Sequence, residues 1–222
     1  MTWIKICGIT NVLDAQEAVA CGADALGFIF TESKRRIDLQ SAKEIIASLP
    51  KGIEKIGVFL DEKPDKVREI AEFCGLTGLQ FHGDESPGYC RSFNDFWVIK
   101  SFRVNKQIEW DKILQYTQAE AVHRILLDTH VEGIPGGTGK SFPWKLLATQ
   151  KPLGVSLIIA GGITSLNATV AVEETKAFGI DVCSGVEKNP GKKDIDKLRS
   201  LIFQLKNSAE VLKNGLMVGG EI

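Results

Sequence analysis

One pattern recurs eight times along this 222-residue chain: an apolar run of four to seven residues, a glycine or polar break, then an amphipathic segment. The apolar runs are Trp3 to Cys7, Ala25 to Phe30, Lys55 to Leu60, Gly78 to Phe81, Trp97 to Phe102, Arg124 to Asp128, Ser156 to Ala160 and Asp181 to Ser184. Between them apolar residues recur at helical spacing, over about Val12 to Cys21, Ser41 to Leu49, Pro64 to Cys74, Ser86 to Phe93, Lys106 to Thr117, Pro143 to Thr149 and Ser165 to Thr175. Asp194 to Leu205 closes the series. Strands alternating with helices predict a parallel sheet, and eight such units are the minimum for a closed (β/α)8 TIM barrel. A doubly wound open sheet is the alternative. No linker or composition shift divides the chain, so a single domain over 1–206 is expected, followed by a Gly-rich extension and tail over 207–222.

Composition narrows the function. Lys+Arg and Asp+Glu nearly balance at 27 and 28, which leaves no electrostatic drive toward nucleic acid or an anionic membrane. The longest apolar stretch, Leu153 to Ile163, is too short to span a bilayer, and no apolar leader opens the chain. Five cysteines, an odd number without C-x-x-C spacing, suit a reducing compartment. A cytoplasmic protein is expected.

In a barrel the chemistry lies at the C-terminal ends of strands. The first run ends in Lys5-Ile-Cys-Gly-Ile-Thr10, with Thr10-Asn11 offering cap oxygens to the next helix. Side chains alternate along a strand, so Lys5 and Cys7 share one face and Ile4 and Ile6 the other. If the isoleucines pack on helices, Lys5 and Cys7 point into the barrel. Strand two is followed by Ser33-Lys-Arg-Arg36, strand four by Gln80-Phe-His82-Gly-Asp84, and strand six ends in Asp128. Strands seven and eight end in Gly161-Gly162 and Ser184-Gly185, where exposed backbone N–H groups near helix starts suit a phosphate. The implied partner is a small phosphorylated molecule. Gly133 to Ser141 looks like a nucleotide P-loop, but Ile134 stands where its first glycine is required. An active-site loop with Lys140 near an anion explains those glycines better.

These strand ends together resemble the phosphoribosylanthranilate isomerase family. The resemblance is carried by Lys5-Ile-Cys-Gly-Ile-Thr10, Gly27-Phe-Ile-Phe30 with Ser33-Lys-Arg35, Gly57-Val-Phe59, Leu79-Gln-Phe-His-Gly83, Leu127-Asp128 and Gly136-Gly-Thr-Gly-Lys140 with Phe142-Pro-Trp144. It continues through Ala160-Gly-Gly162 and Asp181-Val-Cys-Ser-Gly-Val-Glu187 to Pro190-Gly-Lys-Lys-Asp194, from about residue 3 to 205. The resemblance implies a (β/α)8 enzyme of tryptophan biosynthesis, monomeric or homodimeric, with no metal or organic cofactor. It implies an Amadori rearrangement of N-(5′-phosphoribosyl)anthranilate to 1-(2-carboxyphenylamino)-1-deoxyribulose 5-phosphate, with Asp128 as acid and Cys7 as base. The expected substrate-binding residues are Arg35, Gln80, His82, Lys5 and Asp181, and the expected phosphate-binding residues are Gly161, Gly162, Ser184 and Gly185.

The proposed roles need opposite pKa shifts. At pH 7 keeping an Asp protonated costs up to ~4 kcal/mol and keeping a Cys ionised up to ~2 kcal/mol, from their unperturbed values. Lys5, one layer beneath Cys7, is a candidate cation for the thiolate, and an ion pair with Asp181 is the competing use of the same charge. Arg35 suits the anthranilate carboxylate by its two-bond fork, but Arg36 stands beside it and which points inward stays open. Cys21, Cys74, Cys90 and Cys183 read as packing residues, Cys183 standing where the family usually has a small polar residue. Rival readings are a sister isomerase of histidine biosynthesis, which uses aspartate where this chain has Cys7, a non-catalytic phosphate-binding barrel, and a flavin-binding barrel.

Overall fold

The computed structural model describes residues 1–129, 143–149 and 153–215. Eight parallel strands close into a barrel in chain order: β1 (Trp3–Cys7), β2 (Ala25–Ile29), β3 (Glu54–Phe59), β4 (Gly78–Phe81), β5 (Trp97–Val104), β6 (Arg124–Thr129), β7 (Ser156–Ile159) and β8 (Gly179–Val182), with β8 pairing back to β1. The open sheet is thereby excluded. Outside lie α1 (Val12–Cys21), α2 (Leu39–Ala47), α3 (Pro64–Cys74), α4 (Pro87–Arg91), α5 (Trp110–Gln118), α6 (Ala168–Thr175) and α7 (Ile195–Gly215). Among the described residues no helix is long and apolar enough to cross a membrane.

Local chemistry explains most element limits. Asn11 caps α1, its side chain accepting from Asp14 N–H at 2.9 Å, while the neighbouring Thr10 hydroxyl donates instead to the Gly191 carbonyl. Asp38 and Ser86 cap α2 and α4 in the same way. Gly22, with φ 103°, ends α1 in the left-handed conformation that glycine adopts without a Cβ penalty.

The strand faces separate two cores. Ile4, Ile6, Leu26 and Phe28 pack outward beneath the helices, each fully buried. Trp3, Ala25, Ile56, Ile99, Leu126, Ile158 and Ala160 fill the barrel interior. Burying each such aliphatic side chain contributes roughly 1.5–3 kcal/mol, so the parity that directs Ile4 and Ile6 outward commits Lys5 and Cys7 inward.

Several expected limits shift. The segment read as a helix from Pro143 is a 3-10 turn over Trp144–Thr149, and α5 and α6 begin later than Lys106 and Ser165. β8 begins at Gly179 and ends at Val182, so Cys183 lies beyond the strand. A small antiparallel pair, β9 (Glu187–Asn189) and β10 (Lys192–Lys193), follows it and was not expected. The last helix runs through the 206 boundary to Gly215, and the tail beyond lies outside the described residues, as does the Gly133 to Ser141 loop with Lys140.

Candidate active site

At the C-terminal mouth of the barrel a cavity of about 380 Å³ is lined by Cys7, Arg35, Gln80, His82, Arg103, Asp128, Gly161, Gly162, Asp181, Cys183, Ser184 and Gly185, among others. Of the residues expected to catalyse or to bind substrate and phosphate, all but one therefore meet at one place. The exception is Lys5. It is fully buried one layer below, so it acts on the cavity only through its neighbours.

Cys7 sits over a space that glycine creates. Gly27 of β2 pairs with Cys7 in register, and a Cβ there would stand 2.8 Å from Cys7 Sγ and 3.0 Å from Lys5 Nζ. Lys5 Nζ donates to Asp181 Oδ1 at 2.9 Å, from the strand position abreast of it. Both uses of Lys5 weighed from the sequence thus coexist: the cation pairs with Asp181 and also lies within electrostatic reach of the thiol. Its pKa is raised because Asp181 and Cys7 together outweigh the burial that opposes its charge. The Cys7 thiol is brought down to about 7, chiefly by the nearby Cys183 side chain and also by Lys5 and Lys193, against burial and the Asp181 charge.

Asp128, three strands from Cys7 through β7 and β8, moves the other way. Burial and repulsion from Asp181 push its carboxyl up to about 6. His82 Nε2 stands 3.6 Å from Asp128 Oδ2, but burial, with Arg103 and Lys100 nearby, holds the imidazole down to about 3. The ring is neutral at physiological pH, so the contact is not an ion pair. Gln80 Nε2 lies 3.4 Å from His82 Nδ1 on the same face, while its buried Oε1 has no hydrogen-bond partner.

Arg35 is the arginine that faces inward, whereas Arg36 is exposed. Its Nε and Nη2 clasp Glu187, at 2.9 Å from Nε to Oε1 and 2.8 Å from Nη2 to Oε2. Nη1 makes no hydrogen bond within the described residues, so the outer edge of the guanidinium stays open toward the cavity. Glu187 also accepts from Lys193 Nζ at 3.1 Å, and Lys193 in turn donates to the Cys7 carbonyl at 2.6 Å. The β9–β10 pair therefore braces the end of β1. Glu187 and Lys193 belong to the motif that carried the resemblance, but nothing in their spacing reveals that they meet. For Cys183 a signal exists: alternation along β8 sets it on the face of Asp181. It lines the cavity beside Cys7 and is not a packing residue.

Gly161 and Gly162 both have positive φ, 83° and 65°, and their N–H groups donate to no described residue. A Cβ on Gly161 would strike Thr129, and one on Gly185 would strike the Ile163 carbonyl, so these turns require glycine at close backbone approach. The 3-10 turn Ser184–Val186 begins at the same rim.

A closed parallel barrel whose C-terminal mouth gathers Cys7, Asp128 and open glycine turns around one cavity has the make-up of a (β/α)8-barrel enzyme. Comparison with known proteins makes this particular. A family profile described as N-(5'phosphoribosyl)anthranilate (PRA) isomerase matches residues 4–204. The N-(5'-phosphoribosyl)anthranilate isomerase of Desulforudis audaxviator is 45% identical over 202 residues, 91% of this chain and 97% of that one. The phosphoribosyl anthranilate isomerase structure from Thermotoga maritima superposes with a TM-score of 0.86 at 37% identity, covering 93% of this chain and all of its own. Another structure of a phosphoribosyl anthranilate isomerase, in complex with reduced 1-(o-carboxyphenylamino)-1-deoxyribulose 5-phosphate, matches at 35% identity and a TM-score of 0.83, covering 93% and 100%. The chain belongs to the phosphoribosylanthranilate isomerase family.

Proposed function

We propose that this enzyme carries out the Amadori rearrangement of N-(5′-phosphoribosyl)anthranilate in tryptophan biosynthesis, with Asp128 as general acid and Cys7 as general base. Asp128 protonates the furanose ring oxygen, and the ring opens to an iminium. The iminium acidifies the C2′ hydrogen, which the Cys7 thiolate removes, and the enolamine tautomerises to 1-(2-carboxyphenylamino)-1-deoxyribulose 5-phosphate. These are proton transfers, for which the two side chains suffice.

The observation that carries this reading is that a thiol and a carboxyl lining one cavity have pKa values displaced toward each other, Cys7 to about 7 and Asp128 to about 6. At pH 7 the remaining cost of holding Asp128 protonated is about 1.4 kcal/mol, against ~4 kcal/mol for a free Asp. The open edge of Arg35 takes the anthranilate carboxylate, and Gln80 and neutral His82 contact the sugar. Gly161, Gly162, Ser184 and Gly185 hold the phosphate through backbone N–H groups. Asp181 keeps Lys5 charged beneath the thiol. The ligand of the related complex has the carboxyl, amine and phosphate that these groups would meet.

Cys7→Ala and Asp128→Asn test the assignment in a fluorescence assay with substrate made in situ. Each should abolish turnover while product affinity stays within about tenfold, because each removes transition-state chemistry more than ground-state contacts. Substantial activity in either variant would sink it.

A further inference from the structure

Cys183 has no part in the chemistry above, yet the barrel sets it directly beside the proposed base. β1 and β8 run parallel with Lys5 abreast of Asp181 and Ile6 abreast of Val182. One step further, Cys7 and Cys183 come abreast on neighbouring chain segments, on the inward face and one layer above the Lys5–Asp181 pair. Both line the cavity. Cys183 Sγ lies 3.0 Å from where a Cβ on Gly8 would stand, so the residue after Cys7 must be small for the second thiol to reach this place.

The thiol of Cys183 has two possible acceptors. One is Glu187 Oε1, at 3.9 Å, the outer limit for a sulfur donor, and that oxygen already accepts from Arg35 Nε, Lys193 Nζ and the Gly191 N–H. The other is Cys7, an acceptor of much greater strength once ionised. The charged groups around the two sulfurs are Lys5 and Asp181 below, Lys193 on the Cys7 and Cys183 carbonyls, the Arg35–Glu187 pair behind, and Asp128 with neutral His82 across the mouth.

We propose that Cys183 is a positioning residue that donates its S–H to the Cys7 sulfur, holding the thiolate toward the substrate and favouring its ionised form. The proposal rests on Cys7 being the base.

The test follows alkylation of Cys7 by iodoacetamide against pH, with the modified cysteine located by peptide mass spectrometry. In Cys183→Ala the midpoint for Cys7 should rise by about one unit, a roughly tenfold loss of thiolate near pH 6, the size expected for losing one charge-assisted hydrogen bond. Cys183→Val, which fills the volume without a donor, should show the same rise, and Cys183→Ser should return the midpoint toward wild type. The alkaline limb of kcat/KM, which follows the higher of the two values, should move up with it while the maximum falls and KM changes little. An unmoved midpoint in folded Ala or Val variants overturns the thiol pair. A moved midpoint with an unmoved kcat/KM limb overturns Cys7 as the base, and the catalytic part of Cys183 with it.

Discussion

Asp181→Asn removes one charge from a buried ion pair beneath the site, and its consequences can be worked from the geometry. Lys5 is wholly buried and Asp181 nearly so, with Nζ and Oδ1 2.9 Å apart. Breaking such a pair from one side leaves a buried cation uncompensated and destabilises by about 3–5 kcal/mol. For a chain of this size each kcal/mol moves the melting temperature by about 2–4 °C, so a fall of roughly 6–20 °C is expected. The loss should depend on pH. Cys7 titrates near 7 in the fold against an ordinary value of 9.0, so its contribution is fully present above the ordinary value and is lost as pH falls through 7. Without Asp181, the Cys7 thiolate becomes the anion facing Lys5 and its pKa falls further, since Asp181 now opposes its charge. Asp128 acts in the same sense, because its raised pKa makes ionisation above pH 6 unfavourable and Asp181 is part of the cause. The deficit of the variant should therefore be largest near pH 5 and shrink toward pH 9. Thermal melts of both proteins by circular dichroism at the two pH values measure it. A deficit below about 1 kcal/mol, or one that grows with pH, would refute the picture of Lys5 as a charge shared between Asp181 and Cys7.

Two further outcomes follow from the same site. With the acid near 6 and the base near 7, the form bearing protonated Asp128 and ionised Cys7 peaks near pH 6.5 at about 6% of the enzyme, so kcat/KM should be bell-shaped with limbs near 6 and 7; a flat profile from pH 5 to 9 contradicts the pair. Gly27→Ala places a Cβ 2.8 Å from Cys7 Sγ and 3.0 Å from Lys5 Nζ. It should lower kcat about a hundredfold while costing about 1–3 kcal/mol in stability, and near wild-type turnover would show that the sulfur's position is not critical.

Eight alternations of apolar run and amphipathic segment determine a parallel α/β sheet, since 2.0 and 3.6 periodicities leave each element one way to bury its apolar side, and only the pairing of β8 with β1 decides a closed barrel over an open sheet. The same parity sends Lys5 and Cys7 inward, and a motif at each strand end is enough to bring Cys7, His82, Asp128, Gly161 and Ser184 to one mouth. Apart from the Lys5–Asp181 pair, which strand parity made a candidate, what the sequence leaves open is the pairing of residues distant along the chain. That Arg35 and not Arg36 faces the cavity depends on Glu187, more than 150 residues away, which accepts its fork. That Lys193 braces the Cys7 carbonyl depends on the small β9–β10 pair, two strands too short for their periodicity to register. That Cys183 is a neighbour of Cys7 follows only once β8 closes on β1 in register, because closure sets the first strand beside the last. The pKa displacements are tertiary for the same reason. They arise from desolvation and from charges on other strands, quantities that exist only after the barrel has closed around them.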